Sequence, residues 1–166
     1  SLGAGATTPA AVLVGLLTRR DASLVTGRGS GIDDAGWMRK CAAVRDAMRR
    51  GRPLLGDQVD LLAAVAGPDL AALTGFLLQA AARRTPVLLD GMVPAAAALV
   101  AHRAAFRAVD AWLAGDRCTE PAQAIALERL SLQPLLDVGV PGGQGTGALL
   151  AVPLLRAAAA TLQPLS

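Results

Sequence analysis

The sequence has no tyrosine, and two Phe and two Trp are its only aromatic side chains in 166 residues. Phe76, Phe106, Trp37 and Trp112 are scattered, with no basic stripe between them. That leaves no base-stacking surface, and no nucleic-acid partner is expected. Lysine is as scarce: of sixteen basic residues, only Lys40 is not Arg. Such an Arg bias mostly reflects coding, and the net charge of +3 is modest. Two cysteines, Cys41 and Cys118, make no disulfide framework, and with the single His102 they offer no zinc-ligand spacing. No metal and no cofactor is expected. A reducing cytoplasm is the simplest location, and no secretory leader is recognisable.

What the chain has in quantity is apolar surface. It is 53% hydrophobic and 17% charged, which argues against disorder and for one buried α/β domain over 1–166. Leu61 to Ala81 is long, apolar and carries one charge, Asp69. Its length suits a membrane span, but Gly67-Pro68-Asp69 breaks it, so a buried strand, a turn and a buried helix are expected, and no membrane.

Read in order, "SLGAGATTP" is a glycine turn with Thr7 or Thr8 as N-cap and Pro9 in the first helical turn. The apolar helix that follows should be buried. "VTGRGSGIDDAG" reads as a polar loop, with Asp33 or Asp34 capping a helix over about 35–50. Leu61–Gly67 reads as a buried strand, and a helix follows from Asp69 to Arg84. Pro86–Gly91 is the clearest strand, followed by a helix over about 94–103. Ala108–Gly115 is a third strand candidate. A helix capped by Thr119 follows, then "LLDVGVPGG" and a last helix after Gly147. Strands alternating with buried helices predict a parallel sheet covered on both faces, with Asp90, the Asp116–Glu120 loop and both glycine turns at its carboxyl edge.

"GAGATTP" and "GGQGTGA" each place glycines before a helix N-terminus, where free N–H groups and the positive dipole end suit a phosphate. Neither is a Walker A loop or a dinucleotide fingerprint, and each alone reads equally well as a tight turn. Lys40 is either a phosphate clamp or a solvated helix lysine. Asp33 and Asp34 suit capping better than metal binding. His102 suits a surface or capping role better than catalysis. Cys118 precedes a helix, a setting that can lower a thiol pKa, but with no His near in sequence a small loop residue is the expected role. Glu120 is either an acid–base group or a favourable charge in a first helical turn.

"GRGSGIDDAG…RK", "PVLLDGMVPAAAALVAHR", "EPAQAIALERLSLQPLLDVGV" and "GGQGTGALLAVPLLRAAAA", taken in order and spacing, resemble the second half of the nicotinate-nucleotide:dimethylbenzimidazole phosphoribosyltransferase family. The resemblance implies a doubly wound, Rossmann-like parallel α/β fold, incomplete here because family members are about twice as long. It implies a glycosyltransferase of cobalamin nucleotide-loop assembly that needs no metal. Phosphoribose passes from nicotinate mononucleotide to a benzimidazole-type base, giving α-ribazole phosphate and nicotinate. It also implies a homodimer, or association with a missing N-terminal half or partner subunit. Gly3, Gly5 and Thr7, Lys40, Cys118 and Glu120, and Gly143, Gly145, Thr146 and Gly147 fall where the family holds phosphate and ribose.

The departures are as informative. The family's Gly-Glu-Gly-Thr/Ser-Gly turn carries the general base, and here that position is Gln144. Ser1 and Ala6 stand at the Glu and Asn of the family's first motif, Gly-Glu-Met-Gly-Ile-Gly-Asn-Thr-Thr. Its Ser-Ala-Glu-Pro-Gly-His becomes Cys118-Thr119-Glu120-Pro121-Ala122-Gln123. An impaired enzyme is therefore expected, with a non-catalytic nucleotide-binding subunit or scaffold as the alternative. A generic Rossmann-like domain is the third reading.

Overall fold

The computed structural model describes residues 5–139 and 145–162. Among these residues the first half is all helical, and helices alternate with three short strands in the second. The opening helix α1, Thr7–Thr18, is buried from Ala10 to Leu16, as its apolar circumference requires. Its N-cap is Ala6, not Thr7 or Thr8, because the Thr7 hydroxyl serves another partner described below. The short α2, Ala22–Val25, leads to α3, Asp34–Gly51. Asp33 caps α3, its Oδ1 accepting from Gly36 N at 2.7 Å, and Arg49 and Arg50 occupy the last turn, where the dipole favours cations.

The expected strand at Leu61–Gly67 is instead part of helix α4, Gln58–Val65. Asp57 starts this helix by accepting from Val59 N and Asp60 N. Only Leu61 is buried, Leu62 and Val65 pack beside the core, and Ala63 and Ala64 face out. A short apolar run carries no period of its own, so the cap decided the outcome. Helix α5, Pro68–Ala82, then begins with Pro68 in its first turn.

Strand β1, Val87–Leu89, falls within the predicted run. Helix α6, Met92–Ala104, is the centre of the molecule, packed by α1, α5 and α7 (Pro121–Leu130). Its alanines, buried at Ala95 to Ala98 and at Ala101, let those neighbours approach closely in a core with few aromatics. The third strand candidate is half right. Phe106–Ala111 is a 3-10 turn, and β2 runs only over Trp112–Asp116, anchored by buried Trp112. Thr119 does not cap α7; Glu120 occupies that position. The last strand is β3, Pro134–Leu136, and the last helix is α8, Thr146–Thr161.

The strands pair in the order β1-β2-β3, all parallel, with Leu89 opposite Ala114 and Asp116 opposite Leu136. Trp112 and Ala114 point into the helical core. Alternation sends Leu113 and Gly115 to the other face. There α8 lies so close that a Cβ on Gly115 would sit 2.9 Å from Ala148 Cα. Helices thus flank the sheet on both sides, an α/β arrangement consistent with a Rossmann-like fold. Among the described residues no helix is long and apolar enough to cross a membrane.

Candidate phosphate and ribose site

The carboxyl ends of the strands, where open parallel sheets bind ligands, carry Asp90 after β1 and Asp116 at the end of β2. Both are buried, at 6% and 1% exposure. Neither is left bare. Asp90 Oδ2 accepts from Gly145 N at 2.8 Å, and Asp116 accepts from Val138 N at 3.0 Å. The two carboxylates thus hold the chain just before and just after 140–144. Gly145 has φ 99°, a left-handed conformation that glycine adopts without a Cβ penalty, and it turns the backbone into α8.

A second cluster joins four segments distant in sequence. Lys40, on α3, donates from Nζ to Thr7 Oγ1 and to the Gly27 carbonyl, both at 3.0 Å. An ammonium has three donors, so one N–H remains for a ligand. Glu120, at the start of α7, turns its carboxylate away from its own helix. Its Oε1 accepts from Gly29 N at 2.7 Å. Its Oε2 is buried without a hydrogen-bond partner. Gly27 makes room for it, since a Cβ there would lie 2.2 Å from Oε2. Trp37 Nε1 donates to Thr26 O at 2.8 Å and fixes the same loop from α3. Arg28 pairs with Asp34 across its turn.

Gln123 connects the two clusters. Its Nε2 donates to Asp116 O at 2.8 Å and its Oε1 accepts from Cys118 N at 2.7 Å, so one buried amide holds the whole β2–α7 turn. The substituted position is therefore a structural bracket.

Electrostatics follow burial. Desolvation pulls the Lys40 pKa below 10.5, with the nearby Glu120 charge partly restoring it. At Cys118 the place before a helix does not lower the thiol pKa, in keeping with the small loop residue expected. Burial pushes its thiol above 9.0, the carboxylates of Glu120 and Asp90 add to this, and backbone hydrogen bonds at Glu120 and Met92 oppose it. Cys118 is a protonated turn residue at neutral pH.

The structure therefore brings together Thr7, Lys40 and Glu120, and separately Gly145 to Gly147 with Asp90 and Asp116. Gly5 forms the turn before α1, with φ 74°. Gly3, Gly143 and Gln144 lie outside the described residues. His102 sits at the far end of α6, its ring 4.7 Å from that of Phe106. Among the described residues no group of three or more His, Cys, Asp or Glu could hold a metal. Sequence reasoning passed over Gly27 and Gly29 as a polar loop. The glycine density of "GRGSG" was the available signal.

The phosphoribosyltransferase family model DBI_PRT matches residues 1–166. The chain is 68% identical over 157 residues to a nicotinate-nucleotide–dimethylbenzimidazole phosphoribosyltransferase of Streptomyces avermitilis, covering 94% of this chain and 42% of that one. It is 55% identical to the protein of the same name from Mycobacterium avium, over 99% of this chain and 47% of the relative. Among solved structures, that of CobT from Thermus thermophilus superposes with a TM-score of 0.89 at 41% identity, over 95% of this chain and 47% of that one. The chain belongs to this phosphoribosyltransferase family, and it spans somewhat less than half the length of the curated relatives it matches.

Proposed function

We propose that this chain carries the nucleotide-holding half of a cytoplasmic enzyme that moves phosphoribose from nicotinate mononucleotide to a benzimidazole-type base. In that reaction a ring nitrogen of the base attacks C1′, the bond from C1′ to nicotinate breaks, and the base's N–H proton must leave. One observation carries the reading. Lys40 is fixed between Thr7 and the Gly27 carbonyl, at the N-terminal end of α1, with one ammonium N–H left over, a placement that suits a phosphate. Gln144 at the general-base position supports impaired turnover, because an amide accepts a hydrogen bond but takes no proton at neutral pH. The same substitution favours a second reading, a non-catalytic nucleotide-binding subunit or scaffold.

Calorimetry with nicotinate mononucleotide tests the binding half. Lys40→Ala is expected to weaken binding by roughly 10- to 100-fold, the loss of one charge-assisted contact. Affinity for the phosphate is expected to fall as pH rises through the lowered Lys40 pKa, below 10.5, because the cation is lost there. Stability runs the other way. A folded pKa below the unfolded one gives a contribution present above 10.5 and lost as pH falls through the lowered value. Equal binding by the wild-type chain and Lys40→Ala would overturn the assignment.

The partner follows from α8. Its small residues Gly147 and Ala151 face the sheet, while Leu149, Leu150 and Leu154 are 73%, 52% and 51% exposed. Leu135 on β3 and Val138 after it extend this apolar face. The occupant proposed for it is the other half that the relatives carry, in cis or in trans. The chain alone is expected to self-associate with rising concentration, and Leu149→Gln with Leu154→Gln is expected to restore a monomer of unchanged helix content. Co-expression with the complementary half of the Streptomyces avermitilis relative should give a one-to-one complex. A chain that stays monomeric and ignores that half would count against the face.

A further inference from the structure

The opposite end of α1 carries a feature that the transfer reaction does not use. Thr7 to Thr18 spans about 17 Å at the helical rise, so the C-terminal end of α1 lies well away from Lys40. A cavity of about 590 Å³ opens there between α1, α2 and α3. Its volume is that of a small-molecule site. Five arginines line it: Arg19 and Arg20 from the end of α1, and Arg45, Arg49 and Arg52 from α3 and the turn after it. Positions 45, 49 and 52 recur at helical spacing, so they share one face. Asp21 is the only acidic residue among the lining. Arg45 and Arg49 share Asp46 at 3.1 and 4.0 Å, whereas Arg19, Arg20 and Arg52 have no ion pair among the described residues.

The floor differs from the rim. It is made by Leu16, Met48 and Leu55, with Gly15 packed so tightly that a Cβ would meet Met48 Cε at 2.8 Å. An apolar floor under a ring of guanidinium groups selects a molecule with two parts. Planar guanidinium forks bind a phosphate by paired hydrogen bonds, and the floor takes up an apolar body. Inorganic anions match only the rim, and neutral apolar molecules only the floor. A solvated arginine face, the common fate of surface arginines, needs no such floor. We propose that this cleft binds a small phosphorylated molecule with an apolar or aromatic body, independently of the Lys40 site.

The test is calorimetry on the 166-residue chain with 1-naphthyl phosphate, and with inorganic phosphate and 1-naphthol as half-probes. Saturable binding of the naphthyl phosphate is expected, about tenfold or more tighter than either half-probe. Arg20→Ala combined with Arg52→Ala should weaken it by about tenfold or more. Both side chains are exposed, and circular dichroism checks that the fold is kept. Arg83→Ala, just after α5, should leave it unchanged, as should Lys40→Ala. Binding no better than inorganic phosphate would mean unspecific attraction to surface charge. Loss in Lys40→Ala with retention in the arginine variant would put the probe in the nucleotide site. Equal binding of a single-stranded oligonucleotide at physiological salt would make the patch a nucleic-acid surface. Each of these three results overturns the proposal.

Discussion

Gln144→Glu is expected to raise nicotinate release by roughly 10²–10⁴-fold, the usual contribution of a positioned general base. The assay uses nicotinate mononucleotide and 5,6-dimethylbenzimidazole, with the chain joined to the complementary half of a relative. The change is isosteric, so it alters proton affinity and little else. As the unprotonated ring nitrogen attacks C1′, positive charge spreads over the ring and the N–H on the other nitrogen acidifies. A carboxylate can then accept the proton within the same step, whereas an amide leaves it to water. Two buried carboxylates hold the backbone on either side of this position, Asp90 through Gly145 N and Asp116 through Val138 N. A silent wild type with an active variant would locate the defect at one side chain. Ready turnover by the wild type would mean that another group or water takes the proton, and the impairment reading would fall. If both are silent while nicotinate mononucleotide still binds, the nucleotide-binding subunit remains.

The parts of this fold that were legible in the sequence are those with local punctuation. Pro86–Gly91 reads as a strand because an apolar run ends in Asp-Gly, and α3 reads as a helix because Asp33 precedes it. Leu61–Gly67 misled because apolarity alone has no period. The decisive signal, Asp57 four residues upstream, belonged to the flank rather than to the run. Cys118 was legible as a small loop residue, but the direction of its pKa was not. Position before a helix suggests a lowered pKa, but burial and two neighbouring carboxylates are larger effects, and neither is a local property of the sequence.

The site itself depended on contacts that no window reads. Glu120 and Gly29 are 91 residues apart, and Lys40 and Thr7 are 33 apart. Resemblance placed Thr7, Lys40 and Glu120 in one site, but it did not reveal how they are held. Glu120 looked like a group for the ligand or for its own helix dipole, and through Oε1 it also anchors the loop that supports Lys40. Gln123 looked like a lost histidine, and instead it ties Asp116 to Cys118. Substitutions that look like decay in the sequence can still be satisfied hydrogen-bond partners in the fold.

Two glycine-to-alanine changes, both within helices, separate backbone propensity from packing. Gly75 lies exposed in α5, and a Cβ there would meet nothing within 4 Å. Gly75→Ala is expected to stabilise by about 0.4–1 kcal/mol, since it restricts the unfolded chain and suits the helix. Gly147 lies in the first turn of α8, where the same propensity gain is on offer. Its Cβ, however, would sit 2.4 Å from Asp116 Cβ and 2.9 Å from Asp90 Oδ1. Asp116 Cβ is close to the backbone and cannot swing aside as a long side chain would. Overpacking of this kind costs about 1–3 kcal/mol, more than propensity returns at a helix start. Gly147→Ala is therefore expected to destabilise by about 2 kcal/mol and lower Tm by about 4–8 °C, while Gly75→Ala raises it by about 1–4 °C. Thermal unfolding of both variants beside the parent checks the pair. Gly147→Ala should also cut turnover of any active form, because α8 can only yield by lifting its N-terminal turn away from the two carboxylates. An unchanged Tm for Gly147→Ala would mean that α8 does not seat on the sheet edge as described, and the fixed loop ends on which Gln144→Glu depends would go with it.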